Sequence, residues 1–201
     1  YAPARAAQKE WYAMAPARRV EALERLWHVM DANRALLDEC LLREAGCTAP
    51  KRAYEVGESV NLVRYYMSFP YLLDGKIQES DNPGQMNYIF RQPRGVVTVI
   101  APWNVPFILA LRSVLPAIAT GNAVVLKPAS DTPATAFILG ELFQEAGMPA
   151  GLLNVVAGSG AEIGDALVLH PESDMVSFTG STEVGKRIGS LGGGRVWGGS
   201  L

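Results

Sequence analysis

From Arg94 onward, short β-branched apolar runs alternate with stretches of helical periodicity, and few folds accommodate that rhythm. Residues 95–100 (Gly95-Val96-Val97-Thr98-Val99-Ile100) read as a strand covered on both faces. Pro106–Ala119 reads as a helix and residues 122–126 as a second strand. Asp131 or Thr132 caps the next helix, with Pro133 in its first turn and Ala136, Leu139, Phe143 and Ala146 as its buried stripe. Gly147 and Pro149 end it. Residues 152–156 form a third strand, and Gly158-Ser159-Gly160 opens a short helix through Leu167. Met175–Phe178 is a fourth strand, and Ser181 starts a last helix. The expectation is an α/β fold: an open parallel sheet with flanking helices and right-handed crossovers. Such sheets bind ligands beyond the carboxyl ends of their strands.

The preceding part differs in charge. Residues 1–60 carry nine basic and nine acidic side chains, whereas residues 95–171 carry seven charges in all. The first pattern is that of solvated helix faces and the second that of a buried core. Val20, Leu23, Trp27 and Met30 form one helical stripe. Asp31-Ala32-Asn33 caps a new start, Leu37, Cys40 and Leu41 continue an apolar face, and Gly46 stops it. Val60, Val63 and Met67 make a third stripe, ended by Pro70. Turns at Asp74-Gly75 and Asp81-Asn82-Pro83-Gly84, with residues 87–92 extended, predict a hairpin over 76–92. The expected organisation is therefore a helical segment over 1–75, a hairpin over 76–92, a ligand-binding α/β region over 93–190 and an atypical Gly-rich tail over 191–201.

A net charge of −2 leaves no footprint for nucleic acid or an anionic membrane surface. Two cysteines and two histidines disfavour a disulfide scaffold or a zinc site, so no metal is expected. No apolar run is long enough to span a bilayer, and no signal-peptide pattern follows Tyr1. A soluble, cytoplasmic chain is expected, and its start without Met reads as a fragment or a processed product.

Three segments could carry chemistry. After the first strand, prolines flank Asn104 in Ala101-Pro102-Trp103-Asn104-Val105-Pro106. A fixed carboxamide can donate to a developing oxyanion, worth roughly 3 to 4 kcal/mol in measured cases. Taken alone, the six residues fit a helix cap better. After the second strand, Lys127 stands at a helix start in Lys127-Pro128-Ala129-Ser130-Asp131, where it could reach a ribose or phosphate or remain a solvated surface lysine. After the fourth strand, Phe178-Thr179-Gly180-Ser181 leads into Val184-Gly185-Lys186. Glycines and free helical N–H groups there suit a phosphate, although the spacing is neither G-x-G-x-x-G nor a Walker loop.

Arg94-Gly95-Val96-Val97, Pro102-Trp103-Asn104-Val105-Pro106, Gly121-Asn122-Ala123-Val124-Val125-Leu126-Lys127-Pro128 and Phe178-Thr179-Gly180-Ser181 occur in this order. In order and spacing they resemble the NAD(P)-dependent aldehyde dehydrogenase superfamily, from about Ala7 to Gly189. The resemblance implies a Rossmann-like cofactor region and NAD or NADP as cofactor. It makes Asn104 the side-chain donor of an oxyanion hole and Lys127 the holder of the adenosine ribose. Ile100, Ala101, Pro102, Trp103, Gly160, Phe178, Thr179, Gly180 and Ser181 would line the groove, with Val184 on the adenine side and the Ser181 helix facing the pyrophosphate. Ser130 stands where many NAD-preferring members carry Glu, which implies that NADP is accepted as well as NAD.

The family's Glu-Leu-Gly-Gly segment and its later nucleophilic Cys have no counterpart here, and Cys40 and Cys47 lie in the helical part. Two functional classes follow: the cofactor-binding N-terminal portion of an aldehyde-oxidising enzyme, inactive by itself, or a truncated, non-catalytic nucleotide-binding or interaction protein. The stretch 112–132 resembles bacterial members that act on aromatic aldehydes such as benzaldehyde or vanillin. The resemblance also implies a homo-oligomer for the full-length enzyme.

Overall fold

β-branched and apolar residues with no polar face place the central strands in the interior. In the computed structural model, which describes residues 1–193 and the backbone of 198–200, four of the five residues of β3 (Val96–Ile100) and all five of β4 (Ala123–Lys127) are buried. They lie in a five-stranded parallel sheet with β5 (Leu153–Val155), β6 (Met175–Phe178) and β7 (Gly198–Ser200), in the order β5-β4-β3-β6-β7. Successive strands β3, β4 and β5 step one way from the centre, and β6 and β7 step the other. The reversal lies between β3 and β6, where open sheets leave a crevice at the strand carboxyl ends.

The crossover helices are α5 (Pro106–Ala119), α6 (Pro133–Glu145), α7 (Gly160–Leu169) and α8 (Thr182–Gly192). Before the sheet come α1 (Ala2–Ala13), α2 (Pro16–Ala32), α3 (Arg34–Ala45), α4 (Ala49–Tyr66) and a 3-10 turn at Phe69–Tyr71. One continuous apolar core joins α1 to α6 with β3, β4 and β5. A second, smaller cluster of Val168, Val176 and Ile188 lies under α7 and α8.

Helix α1 has no element of its own in the sequence reading, because its apolar residues are mostly small alanines. It is tied to the sheet by polar side chains instead. Tyr1 Oη lies 2.6 Å from Thr98 Oγ1, Gln8 Nε2 donates to the Gly121 carbonyl at 3.0 Å, and Trp11 Nε1 to that of Ile118 at 2.7 Å. Arg5 pairs with Asp174, whose Oδ2 also accepts the Val96 amide at 2.7 Å.

The break at Asn33 occurs where expected, but its side chain does not open α3. Its Nδ2 donates back to Val29 O at 2.9 Å and so closes α2. Gly46 ends α3 in the left-handed conformation at φ 58°. The antiparallel hairpin β1 (Lys76–Glu79) and β2 (Met86–Ile89) turns through Gly84 at φ 79°, and every residue of both strands is exposed. Of the tail 191–201, Leu191 and Gly192 end α8 and residues 198–200 pair with β6, while the expectation for 194–197 and 201 lies outside the described residues.

Candidate functional site

The four crossover helices all start at the sheet's carboxyl edge with unsatisfied N–H groups, which attract an anion unless something already meets them. At α5, Pro106 has no N–H to offer, and the Phe107 amide donates to Glu55 Oε1 at 2.9 Å. At α6, the Ala134 and Thr135 amides donate to Glu44 Oε1 and Oε2 at 2.6 and 3.0 Å. At α7, Ser159 and Glu162 form a reciprocal capping box, which holds the Glu162 carboxyl below its ordinary pKa. Three of the four helix starts therefore already face a carboxylate that accepts their N–H groups. At α8 the cap is a hydroxyl, Ser181 Oγ, which accepts the Val184 amide at 3.3 Å; the one acid of its first turn, Glu183, takes no cap bond.

These contacts overturn two readings from sequence. Asn104 does not cap α5: the cap position is Val105, and the Asn104 side chain is exposed and makes no hydrogen bond among the described residues. Asp131 does not cap α6 either, because the cap position is Thr132 and its neighbouring amides go to Glu44. Both caps come from helices distant in sequence, with nothing local to mark them.

Two cavities lie at this edge. One, of about 430 Å³, is walled by Phe178, Thr179, Gly180 and Ser181 with the first half of α8, including Lys186. The other, of about 410 Å³, lies between α7 and α8 and brings together Ile100, Lys127, Gly160 and Val184. Ala101, Pro102, Trp103, Asn104 and Ser130 line neither. Of these, Trp103 is exposed beyond β3, and Ser130 Oγ sits 3.5 Å from the Gly158 carbonyl across the βα loops. Phe178 and Thr179 also border a larger depression of about 700 Å³ on the side of Arg94 and Arg112.

Lys127 is 5 % exposed, and its burial lowers its pKa. One of its three N–H groups is satisfied, by the Pro128 carbonyl at 2.9 Å. At Gly160 a Cβ would project into open space, so the wall is recessed there. Gly180 has a different basis: a Cβ would meet the Phe178 ring at 2.6 Å, so glycine lets that ring fold over the turn. Sequence reasoning missed the outer clasp of the second cavity, where Arg187 grips Asp165 through two hydrogen bonds of 2.9 and 2.6 Å. The partners are 22 residues apart on different helices, so no local spacing marks them.

The recess at the sheet's carboxyl edge thus combines a buried ammonium with a helix start capped by a hydroxyl instead of a carboxylate. Residues 1–197 match the sequence profile described as the aldehyde dehydrogenase family. The chain belongs to that family. Among its relatives, a vanillin dehydrogenase of Corynebacterium glutamicum is 45 % identical over 192 residues, 95 % of this chain and 40 % of the relative. A benzaldehyde dehydrogenase of Bacillus subtilis is 42 % identical over the same shares. The crystal structure of an NAD-dependent benzaldehyde dehydrogenase from Corynebacterium glutamicum superposes with a TM-score of 0.95 at 44 % identity, over 98 % of this chain and 44 % of that one. The chain thus spans about 40 % of the length of the curated relatives it matches.

Proposed function

We propose that this chain is the cofactor-binding portion of an NAD(P)-dependent enzyme that oxidises an aldehyde to a carboxylic acid. The observation that carries the reading is Lys127: a buried ammonium with two unused donors beside a recess of nucleotide size. Those donors suit the vicinal hydroxyls of a ribose. Gly160 and Val184 border the space for adenine, and the α8 start with Ser181 and Lys186 suits the pyrophosphate. The aldehyde dehydrogenase membership and the NAD(+) named for a 41 % identical benzaldehyde dehydrogenase of Pseudomonas putida support the same choice. A 37 % identical 3,6-anhydro-L-galactose dehydrogenase structure in complex with NAP extends it to NADP.

When bound, the nicotinamide accepts the hydride that aldehyde oxidation releases. In this chain, residues 101–103 would lead from β3 towards the reacting end, although they line neither cavity. Asn104, freed from helix capping, offers its amide donors to an oxyanion that develops on the substrate carbon's oxygen. Neither thiol here suits the nucleophile. Cys40 and Cys47 are buried, and burial with Glu44 and Glu55 nearby pushes the Cys40 pKa up to about 11, opposite to what a reactive thiolate requires. The 201 residues by themselves therefore bind cofactor without turning over aldehyde.

The vanillin and benzaldehyde dehydrogenases among the relatives support an aromatic aldehyde as substrate. The two buried free thiols fit a reducing, cytoplasmic setting. The exposed hairpin supports a homo-oligomer, since a two-stranded ribbon with no packed face is marginal by itself. Among the described residues no helix is long and apolar enough to cross a membrane. Isothermal titration of the chain with NAD and NADP tests the reading: saturable binding of either supports it, and absence of both overturns it. Absorbance at 340 nm with benzaldehyde present checks that no turnover accompanies binding.

A further inference from the structure

The loop 101–105 carries Asn104 from β3 to α5, and its direction is set by whatever holds the first turn of α5. That turn has no local cap. Its first free donor, the Phe107 amide, reaches Glu55 Oε1 on α4, across 52 residues of sequence. Glu55 is 0 % exposed, and its second oxygen has no hydrogen-bond partner. Burial accordingly pushes the Glu55 carboxyl up, against the pull of the Phe107 amide, of nearby Lys51 and of the Ile108 amide. An apolar residue of that volume would fill the space without this desolvation cost. What the carboxyl adds is a directed acceptor at one amide. The Phe107 ring is itself fully buried, so ring and amide together fix the start of α5. Asn104 stands three residues earlier.

We infer that Glu55 is a positioning residue for Asn104: by accepting the Phe107 amide it fixes the 101–105 loop and with it the backbone from which the Asn104 carboxamide projects. The catalytic use of that carboxamide rests on the proposed function; the geometric link does not.

The test compares ¹⁵N-labelled chain with Glu55→Gln and Glu55→Met, each checked for folding by its thermal transition. Gln keeps an acceptor at Phe107, and Met keeps volume without one. In the Met variant the backbone amide signals of Trp103, Asn104 and Val105 shift and broaden, and Phe107 amide exchange accelerates on the order of 10-fold or more, as for an opened helix start. Amides of α7 and α8 stay unchanged, and the Gln variant keeps the wild-type Asn104 signals. Unmoved Trp103, Asn104 and Val105 backbone amides in the folded Met variant overturn the inference, as does a Gln variant that shifts as far as Met. Should Met not fold, Glu55→Asp, one methylene too short to reach, gives the same comparison. Titrating the same samples with NAD separates the two proposals: a chain that binds no NAD removes the proposed function and leaves the Glu55 comparison intact.

Discussion

Glu44 on α3 holds the Ala134 amide at 2.6 Å, so the start of α6 is completed by a side chain 90 residues earlier in the sequence. The same carboxylate accepts Thr135 with its other oxygen, which makes it a two-pronged cap on a helix with no local one. Because the negative charge also meets the positive end of the helix, removing it costs more than a hydrogen bond between neutral groups.

Glu44→Ala should accordingly destabilise the chain by about 1 to 2 kcal/mol. For a chain of this size that corresponds to a fall in Tm of roughly 2 to 8 °C. A melting curve within 1 °C of wild type would show that the cap contributes nothing.

Asn104→Ala should leave Tm unchanged, within about 0.5 kcal/mol, because the side chain is exposed and unbonded. In a catalytically complete form of the enzyme the same change should lower kcat by roughly 10² to 10³ while substrate affinity holds. A clear stability loss would return Asn104 to a structural role.

Lys127→Met removes a buried charge and retains the stem's volume. Affinity for NAD should fall by on the order of 10- to 100-fold, the value of one or two hydrogen bonds from a charged donor. Stability should hold or rise. Equal NAD affinity in calorimetry would exclude Lys127 as the ribose ligand.

Cofactor choice turns on Ser130 and Asp131. Ser130 lacks the charge that would repel a 2′-phosphate, yet its exposed neighbour Asp131 is not spent on capping α6 and keeps its charge. Ser130→Glu should weaken NADP binding selectively, and Asp131→Asn should strengthen it. Parallel changes for NAD in both variants would sink the charge argument.

Stability should also carry a pH signature of Glu55. Its folded pKa lies above the ordinary 4.5, so the folded state holds the proton more tightly than the unfolded one. Stability from this group is then fullest below 4.5 and declines as pH rises to the folded pKa. The Tm advantage of Glu55→Gln over wild type should grow across that window, and a flat difference would contradict it.

Four strands and their four helices were legible because the strands are apolar, most with β-branched residues, and the helices striped, down to the left-handed stop at Gly46, whereas β7 is Gly-Gly-Ser and read only as tail. That Ile100, Lys127, Gly160 and Val184 line one cavity follows from topology, since β3, β4 and the starts of α7 and α8 meet at the sheet's carboxyl edge. What stayed hidden was carried by distance. Glu44 and Glu55 look like two more solvated helix charges among the nine acids of residues 1–60, and nothing in their neighbours marks them as caps for α5 and α6. Asp131 looked like a cap because Asp before Pro commonly is one; Glu44 had already taken the amides. Helix α1 escaped notice because its grip is polar and its partners lie more than 90 residues on.

That grip bears on how the chain is made. Every tether of α1 named above reaches residues that leave the ribosome late: Thr98, Ile118, Gly121, and at the far end Asp174. At ~5–20 residues per second, the first helix waits roughly 10 to 30 s between its own emergence and that of its last partner. Trp11, with no solvent exposure in the finished fold, stays uncovered through much of that interval. Nascent chains halted before Gly121 should therefore recruit holding chaperones through the residues of α1, and chains released past Asp174 should not.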